Sequence, residues 1–467
     1  MNLFYKHLSI YGILPVVGKS IGFFLIPIYA RLFSAEEFGE VELVVSLINL
    51  LVYFIGLEFY SAVGRYIFQC KEQSEKRLLV STGLWMTLFT TLLVVSLTLL
   101  FRSQLMTHYL SGAPLEKHLM AGIAWLAIEG CSTYMSVLPR YTRRQKMYVV
   151  VAVSALLIRV LSTICFVLVL HTGTIGILYG HICGSLSSLC LNSYLSREYL
   201  SMEFSRKVSQ KIAGYALPLV PGLMAGAFSI PTFYKGTELY FGASALGQLS
   251  FALRLTSLMV MFRGVLQNAW FPLLYEHIHE AGFVQRIKND SLSLSSILLT
   301  GGALVVLLGD EICLWLGTEE FRSANLLLPF LCYSGYLQAM TQLRGFGPLV
   351  NQRTHIRSIV IVLALAVSCI GFPLLHSVAG LWGVGVIIVS YEAIQYLLLT
   401  RYTSRVILSM HGSSLVWPRE HFHSLLYFGC CACSMLHLSL ALRLIAALLL
   451  ISYMLYTFRH PIARLLP

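Results

Sequence analysis

The chain has 467 residues, of which 57% are apolar and 12% charged, with a formal net charge of +12. Globular chains are about 45–50% apolar and about 25% charged, and the mean hydropathy here is +0.75. These values exclude a secreted, disordered, coiled-coil or soluble-enzyme chain and leave room for about 13 spans of about 20 residues; the expected fold is an all-α polytopic transmembrane helical bundle.

In chain order, apolar segments predict spans at 8–30, 41–62, 78–101, 119–139, 148–170, 174–195, 212–233, 241–264, 291–308, 323–343, 357–375, 379–400, 424–438 and 440–458. The first is too long for a signal-peptide core and no small-residue cleavage site follows, so it reads as span one. The longest connections, 264–290 and 401–423, are too short to fold as catalytic domains. No Gly-rich phosphate loop, HExxH or nucleophile elbow occurs, so an enzyme is not expected. The 11 cysteines fall almost entirely in spans, and the Cys430-Cys431-Ala432-Cys433 cluster lacks zinc-ligand spacing.

Alternate connections are basic. One set holds Lys6, Arg65, Lys71, Lys76, Arg77, Arg140, Arg143, Arg144, Lys146, Arg197, Arg206, Lys207, Lys211, Arg286, Lys288, Arg344, Arg353, Arg357, Arg401, Arg405, Arg419, Arg459 and Arg464. The other holds Arg31, Arg102, Lys117, Lys235, Arg322 and Arg443 among acids such as Asp310, Glu311, Glu319 and Glu320. The positive-inside rule then predicts an even number of spans with both termini cytoplasmic. The excess charge is topology and contact with anionic membrane lipids, and no nucleic-acid partner is expected.

The chain repeats. Pro15 and Gly18-Lys19-Ser20-Ile21-Gly22 align with Pro218 and Gly222-Leu223-Met224-Ala225-Gly226; Phe24-Leu25-Ile26-Pro27 aligns with Phe228-Ser229-Ile230-Pro231 at an offset of 204; Leu32–Val41 aligns with Tyr240–Leu249 at an offset of 208. Two six-span halves, 1–205 and 206–405, followed by a hairpin at 406–467, are therefore expected. An even number of spans per half makes them parallel repeats, with a substrate site between them and transport by rocking. The GxxxG steps allow close helix approach, and the prolines break or kink spans one and seven.

Ionisable groups at membrane depth are costly and mark functional candidates. Lys19 lies mid-span, sharing a face with Gly12, Pro15 and Gly22, and its repeat partner is Leu223. Arg254 lies within span eight. Arg65 and Arg31 stand at span ends and complete the candidate substrate-binding cations. Glu58, Ser61 and Arg65 share one face of span two. Glu129 and Arg159, on consecutive antiparallel spans, can meet as an ion pair or an ion-linked switch, and Glu392 in span twelve is a candidate titrating acid. Several cations with few acids suit an anion such as a pyrophosphate head group.

Ile10-Tyr11-Gly12, Gly18–Phe23 and Pro27–Gly39 resemble the start of Wzx-type polysaccharide flippases, members of the multidrug/oligosaccharidyl-lipid/polysaccharide (MOP) exporter superfamily. Ala213–Pro221, Gln267–Glu276, Gly317-Thr318-Glu319-Glu320-Phe321 and Gly380-Leu381-Trp382-Gly383 are similar to later segments of that family. The resemblance implies two six-helix lobes in a bacterial cytoplasmic membrane. It implies flipping of undecaprenyl-pyrophosphate-linked oligosaccharide, coupling to a proton or sodium gradient without a cofactor, and a polysaccharide polymerase and chain-length regulator as partners. The family's cationic positions in spans one and eight carry over to Lys19 and Arg254. The family's Asp-Arg after span seven is replaced here by Phe233-Tyr234, followed by Lys235. A multidrug cation exporter, which needs cavity acids, and a membrane-embedded glycan polymerase or acyltransferase are the alternatives.

Overall fold

The computed structural model describes residues 25–110, 115–141, 145–257, 282–351, 355–411, 420–435 and 442–450, with isolated positions between. Every regular element among them is helical, and eight helices are long and apolar enough to cross a membrane. The protein is thus an all-α, multi-pass membrane protein. Its described residues cluster into two compact units, Glu36–Lys235 and the remainder.

The first unit holds α2 (Ala35–Gly56) apart from its first residue, α3 (Phe59–Tyr66), α4 (Gln73–Leu100), α5 (Glu116–Tyr141), α6 (Gln145–Ile164), α7 (Ile175–Leu195), α8 (Arg206–Ala216), α9 (Val220–Ala227) and most of α10 (Ser229–Phe241). The short α1 (Ile26–Leu32) precedes them in the chain and belongs to the second unit. Helices α5 and α6 both pack along α7. The α6–α7 approach is close because α7 carries glycine every fourth residue: a β-carbon at Gly180 would meet Thr163 and the Arg159 carbonyl, and one at Gly184 the Arg159 Cβ. By contrast, Gly226, in the GxxxG step of span seven, borders open space.

Span two is two helices rather than one. Leu57 (φ 39°) and Glu58 (φ 60°) sit in the left-handed region between α2 and α3, a conformation that side-chain-bearing residues seldom adopt. A broken helix frees carbonyls, and membrane interiors supply no water to satisfy them. Here the Ile55 carbonyl accepts from Thr90 Oγ1 of α4 at 2.7 Å. Span seven is broken as its prolines require: α8 passes through a 3₁₀ turn at Leu217–Leu219 into α9 and then α10. The basic α8 packs on α3 and α4, burying Ile212 and Ala216 against Phe59, Val63 and Leu79.

The second unit contains α11 (243–257), α12 (Phe283–Leu307), α13 (Gly309–Leu316), α14 (Leu328–Arg344), α15 (His355–His411), α16 (Glu420–Met435) and α17 (442–450). A straight 57-residue α15 would be about 86 Å long, far longer than a bilayer is thick. It turns at Gly380, whose φ of 51° and ψ of −148° are non-helical. Gly371 then lies against Ile387, 3.2 Å from a β-carbon placed at 371, whereas a straight helix would hold them about 24 Å apart. Spans eleven and twelve are thus a hairpin with a one-residue turn.

Two helix starts coincide with positions that the sequence repeat pairs. Ala35 and Ala243, equivalent at offset 208, each start a helix after a break, at Ser34 in one copy and Gly242 (φ 91°) in the other. The charge pattern is visible too. Residues of the sparsely charged connections meet one another: Arg443 pairs in two-pronged fashion with Glu311 at 2.7 and 3.1 Å. Arg322 lies 3.8 Å from Asp310, Arg31 Nη2 donates to the Trp315 carbonyl, and the Ala35 N–H donates to Glu320. Residues of the basic connections do the same: Arg77 Nε donates to the Glu198 carbonyl at 2.6 Å, and Arg65 stacks on Tyr215 of α8.

Candidate functional site

A cavity of about 350 Å³ within the first unit is lined by Asn49, Tyr53, Glu58, Glu129, Thr133 and Leu223, among others. Three helical elements build it. The end of α2 and the break at Leu57-Glu58 contribute one wall, α5 the second, and the Gly-containing α9 the third. The break aims Glu58. Its carboxylate accepts from the Tyr60 and Ser61 hydroxyls, so both donors come from the first turn of α3.

Glu129 is held from two helices. Its carboxylate accepts from Trp125 Nε1 and Thr133 Oγ1, both at 3.2 Å and one turn away on α5, and from the Ser185 hydroxyl of α7. Trp125 Nε1 also reaches Ser185 Oγ at 3.0 Å, and its ring lies against His181, with centroids 4.1 Å apart. His181 Nε2 in turn contacts the Arg159 guanidinium. A polar chain therefore runs from the cavity wall through Trp125 and Ser185 to His181 and Arg159. The contacts do not join Glu129 directly to Arg159; His181 on α7 stands with the guanidinium instead.

Among the described residues, Glu58 and Glu129 are the carboxylates that line this cavity. A site of this kind can bind and release a proton or small cation, and its fixed hydroxyl and indole donors orient the carboxylates for that exchange. Leu223, the repeat partner of Lys19, is on the cavity wall. Lys19 itself lies outside the described residues.

The remaining candidates are in other places. Arg254 on α11 is partly buried, with its guanidinium 5.1 Å from the centre of the Tyr29 ring; span eight is thereby packed on the end of span one. Arg31 is exposed and donates to the Trp315 carbonyl at 3.4 Å. Arg65 is exposed at the end of α3, 4.6 Å from the Tyr215 ring centre. Glu392 is buried on the second arm of α15, one turn before Tyr396.

Arg344, counted in the sequence as a charge of a basic connection, is fully buried. Its Nε donates to Ser291 Oγ of α12 at 3.2 Å and its Nη1 to the Tyr396 hydroxyl at 2.6 Å. It joins α12, α14 and the second arm of α15, on the arm that also bears Glu392. No spacing in the sequence signals this; its position at the end of span ten hides it among topology charges. Among the described residues no group of His, Cys, Asp and Glu could hold a metal ion.

Residues 28–320, well over half of the chain, match the family described as polysaccharide biosynthesis protein. The chain belongs to that family. No curated protein matches it in sequence. Its fold is shared with the lipid II flippase MurJ in an inward closed conformation (TM-score 0.72, 11% identity, covering 97% of this chain and 99% of that one). It is shared also with an inward-facing multidrug resistance MATE transporter of the MOP superfamily (TM-score 0.69, 13% identity, 86% and 99% covered). A MOP superfamily transporter from Pyrococcus furiosus, whose binding pocket has reverse polarity, is a further relative in fold (TM-score 0.58, 13% identity, 87% and 96% covered). This family member therefore has the fold of the MOP superfamily, as the resemblance of its opening segments implied.

Proposed function

We propose that the protein is a flippase. It carries undecaprenyl-pyrophosphate-linked oligosaccharide units from the cytoplasmic to the outer leaflet of a bacterial cytoplasmic membrane, supplying surface polysaccharide such as O-antigen, capsule or exopolysaccharide. Membership of a polysaccharide biosynthesis family on a transporter fold supports this reading. The two six-span halves at 1–205 and 206–405 rock about the site between them, with 406–467 as an added hairpin, and both termini are cytoplasmic. The protein is a transporter without a cofactor, and its downstream partners are a polymerase and a chain-length regulator.

In this scheme Lys19 and Arg254 meet the pyrophosphate, with Arg65 and Arg31 at the span ends. Glu58 and Glu129, with Arg159 and Glu392, couple movement to a proton or sodium gradient. The test is a leaflet assay with lipid-linked oligosaccharide in proteoliposomes. Flipping is expected from the unaltered protein and is lost in Lys19→Glu with Arg254→Glu; full flipping by that double variant would sink the assignment of these cations.

A cation-coupled multidrug exporter is the second reading. Glu58 and Glu129 on the cavity wall favour it, since organic cations are bound by acids. Gradient-driven uptake of a fluorescent organic cation into everted vesicles, with no flipping of lipid-linked oligosaccharide, would decide for it.

A further inference from the structure

A second depression in the first unit has a different character. It is a laterally open groove of about 620 Å³ between α3, α4 and α8, walled by Phe59, Trp85, Phe89, Ala213 and Leu217. Its volume is within the range of about 300–1,000 Å³ usual for small-molecule sites. Phe89 is 68% exposed and Leu217 49%, so the groove has apolar walls that open sideways. On α4 the exposed apolar surface continues through Leu92 and Leu93. In a membrane-spanning chain, what meets such a surface is hydrocarbon, and a groove in it takes a chain rather than water.

The polar end of the groove is net cationic, with exposed Arg206 and Lys207 against Glu203 beside Phe204. Ser209, Gln210, Ala213 and Leu217 all line it; Arg206 precedes them by 3, 4, 7 and 11 residues, which puts it on the same helical face, at the start of α8. Arg206 and its neighbour Lys207 are exposed. Helix α8 (RKVSQKIAGYA) contains no acid. Its opposite face is fixed to the unit: Lys211 Nζ lies 4.2 Å from the Tyr66 ring centre, Arg65 stacks on Tyr215, and the two tyrosine rings meet edge to face. The groove-side cation is therefore carried by a helix that is already anchored. Trp85 and Phe204, both exposed, flank the groove, and Trp is a side chain preferred where hydrocarbon gives way to head groups.

We propose that this groove binds one acyl chain of an anionic bilayer phospholipid, with the lipid phosphate on Arg206. The site is separate from the acid-lined cavity and does not depend on what the protein transports. An apolar channel alone would accept any lipid chain. The net cationic mouth, with Arg206 on the groove face, makes the choice for an anionic head group, at about 1 kcal/mol per basic residue, or about fivefold in occupancy.

Trp85 supplies the readout. Bromine on an acyl chain quenches an indole it touches, and the Trp85 contribution is the difference between the unaltered protein and Trp85→Phe. In phosphatidylcholine vesicles, a minor fraction of dibrominated phosphatidylglycerol is expected to quench the Trp85 signal about fivefold more effectively than the same fraction of dibrominated phosphatidylcholine. Arg206→Gln, an exposed change that leaves the α8 anchor intact, is expected to abolish the preference. Equal quenching by the two lipids, or a preference undiminished in Arg206→Gln, would overturn the proposal. So would relief of quenching by unbrominated undecaprenyl phosphate at the same fraction, because the groove would then belong to the polyprenyl chain. Flipping by Arg206→Gln in the leaflet assay is read separately, so failure here and failure of the transport reading are told apart.

Discussion

The backbone oxygen of Ala35 lies where a β-carbon at residue 247 would have to sit. Ala35, which clusters with the second unit, opens α2, and Gly247 lies in the first turns of α11, so the chain at Ala35 packs directly on α11. Backbone against backbone leaves no flexible side chain to yield.

Gly247→Ala is accordingly expected to lower thermal stability, and Gly247→Leu to lose folded protein. Overpacking costs about 1–3 kcal/mol, and here a main-chain atom must move. Gly226→Ala is the control, since a β-carbon there meets nothing within 4 Å. Thermal denaturation followed by size-exclusion chromatography checks both; an unaffected Gly247→Ala would contradict the contact.

Thr90→Val preserves shape and removes the hydroxyl that serves the Ile55 carbonyl. A buried acceptor left unsatisfied costs about 1–3 kcal/mol. The neighbouring Thr98 hydroxyl bonds back to Val94 within its own helix, and Thr98→Val is expected to cost less. The difference in melting temperature between the two variants isolates the service given to the broken span.

For Arg344, Tyr396→Phe removes one hydrogen bond to a buried charge and is expected to cost about 1.5–3 kcal/mol. Arg344→Lys is expected to be at least as damaging, because a point ammonium cannot reproduce the fork that reaches Ser291 and Tyr396 together. Melting curves of the purified variants measure this, and a Lys variant as stable as the unaltered protein would show that the fork is dispensable.

At the break in span two, Glu58→Asn separates conformation from charge. Asn tolerates the left-handed region, so folding is expected to persist while gradient-driven transport is lost. Glu58→Val puts a β-branched residue at φ 60°, with strain of about 1–3 kcal/mol. Full transport by the Asn variant would remove Glu58 from the coupling scheme and leave Glu129 as the cavity acid to test, by Glu129→Gln.

Some of this is legible in the amino-acid sequence. Loop charge alternation predicts which connections share a side, and Arg443 with Glu311, or Arg77 with Glu198, meet accordingly. The offset of 208 predicts that Ala35 and Ala243 are equivalent, and both start helices. Prolines predict the broken seventh span. The break in span two was hidden, because Leu57-Glu58 carries neither proline nor a left-handed glycine; it is imposed by packing against α4. Glu129 and Arg159 are at comparable depth, as antiparallel neighbours should be, yet the facing helix α7 supplies Ser185 and His181 between them. The GxxxG spacing at 222–226 and that at 176–180–184 look alike in sequence; neighbouring helices make the second a seam and leave Gly226 open. Arg344 reads as a topology charge for the same reason: its burial at a helix end is decided by α12 and α15, which local sequence does not describe.

The one-residue turn at Gly380 also acts as an indexing device. With no slack in the connection, the rotation of the second arm of α15 is fixed by the first. Inserting a single residue after Gly380 would turn that arm by about 100°. Glu392 and Tyr396 would swing off the faces they now occupy, and Arg344 would lose its phenol partner to a change in a connection that touches none of the three.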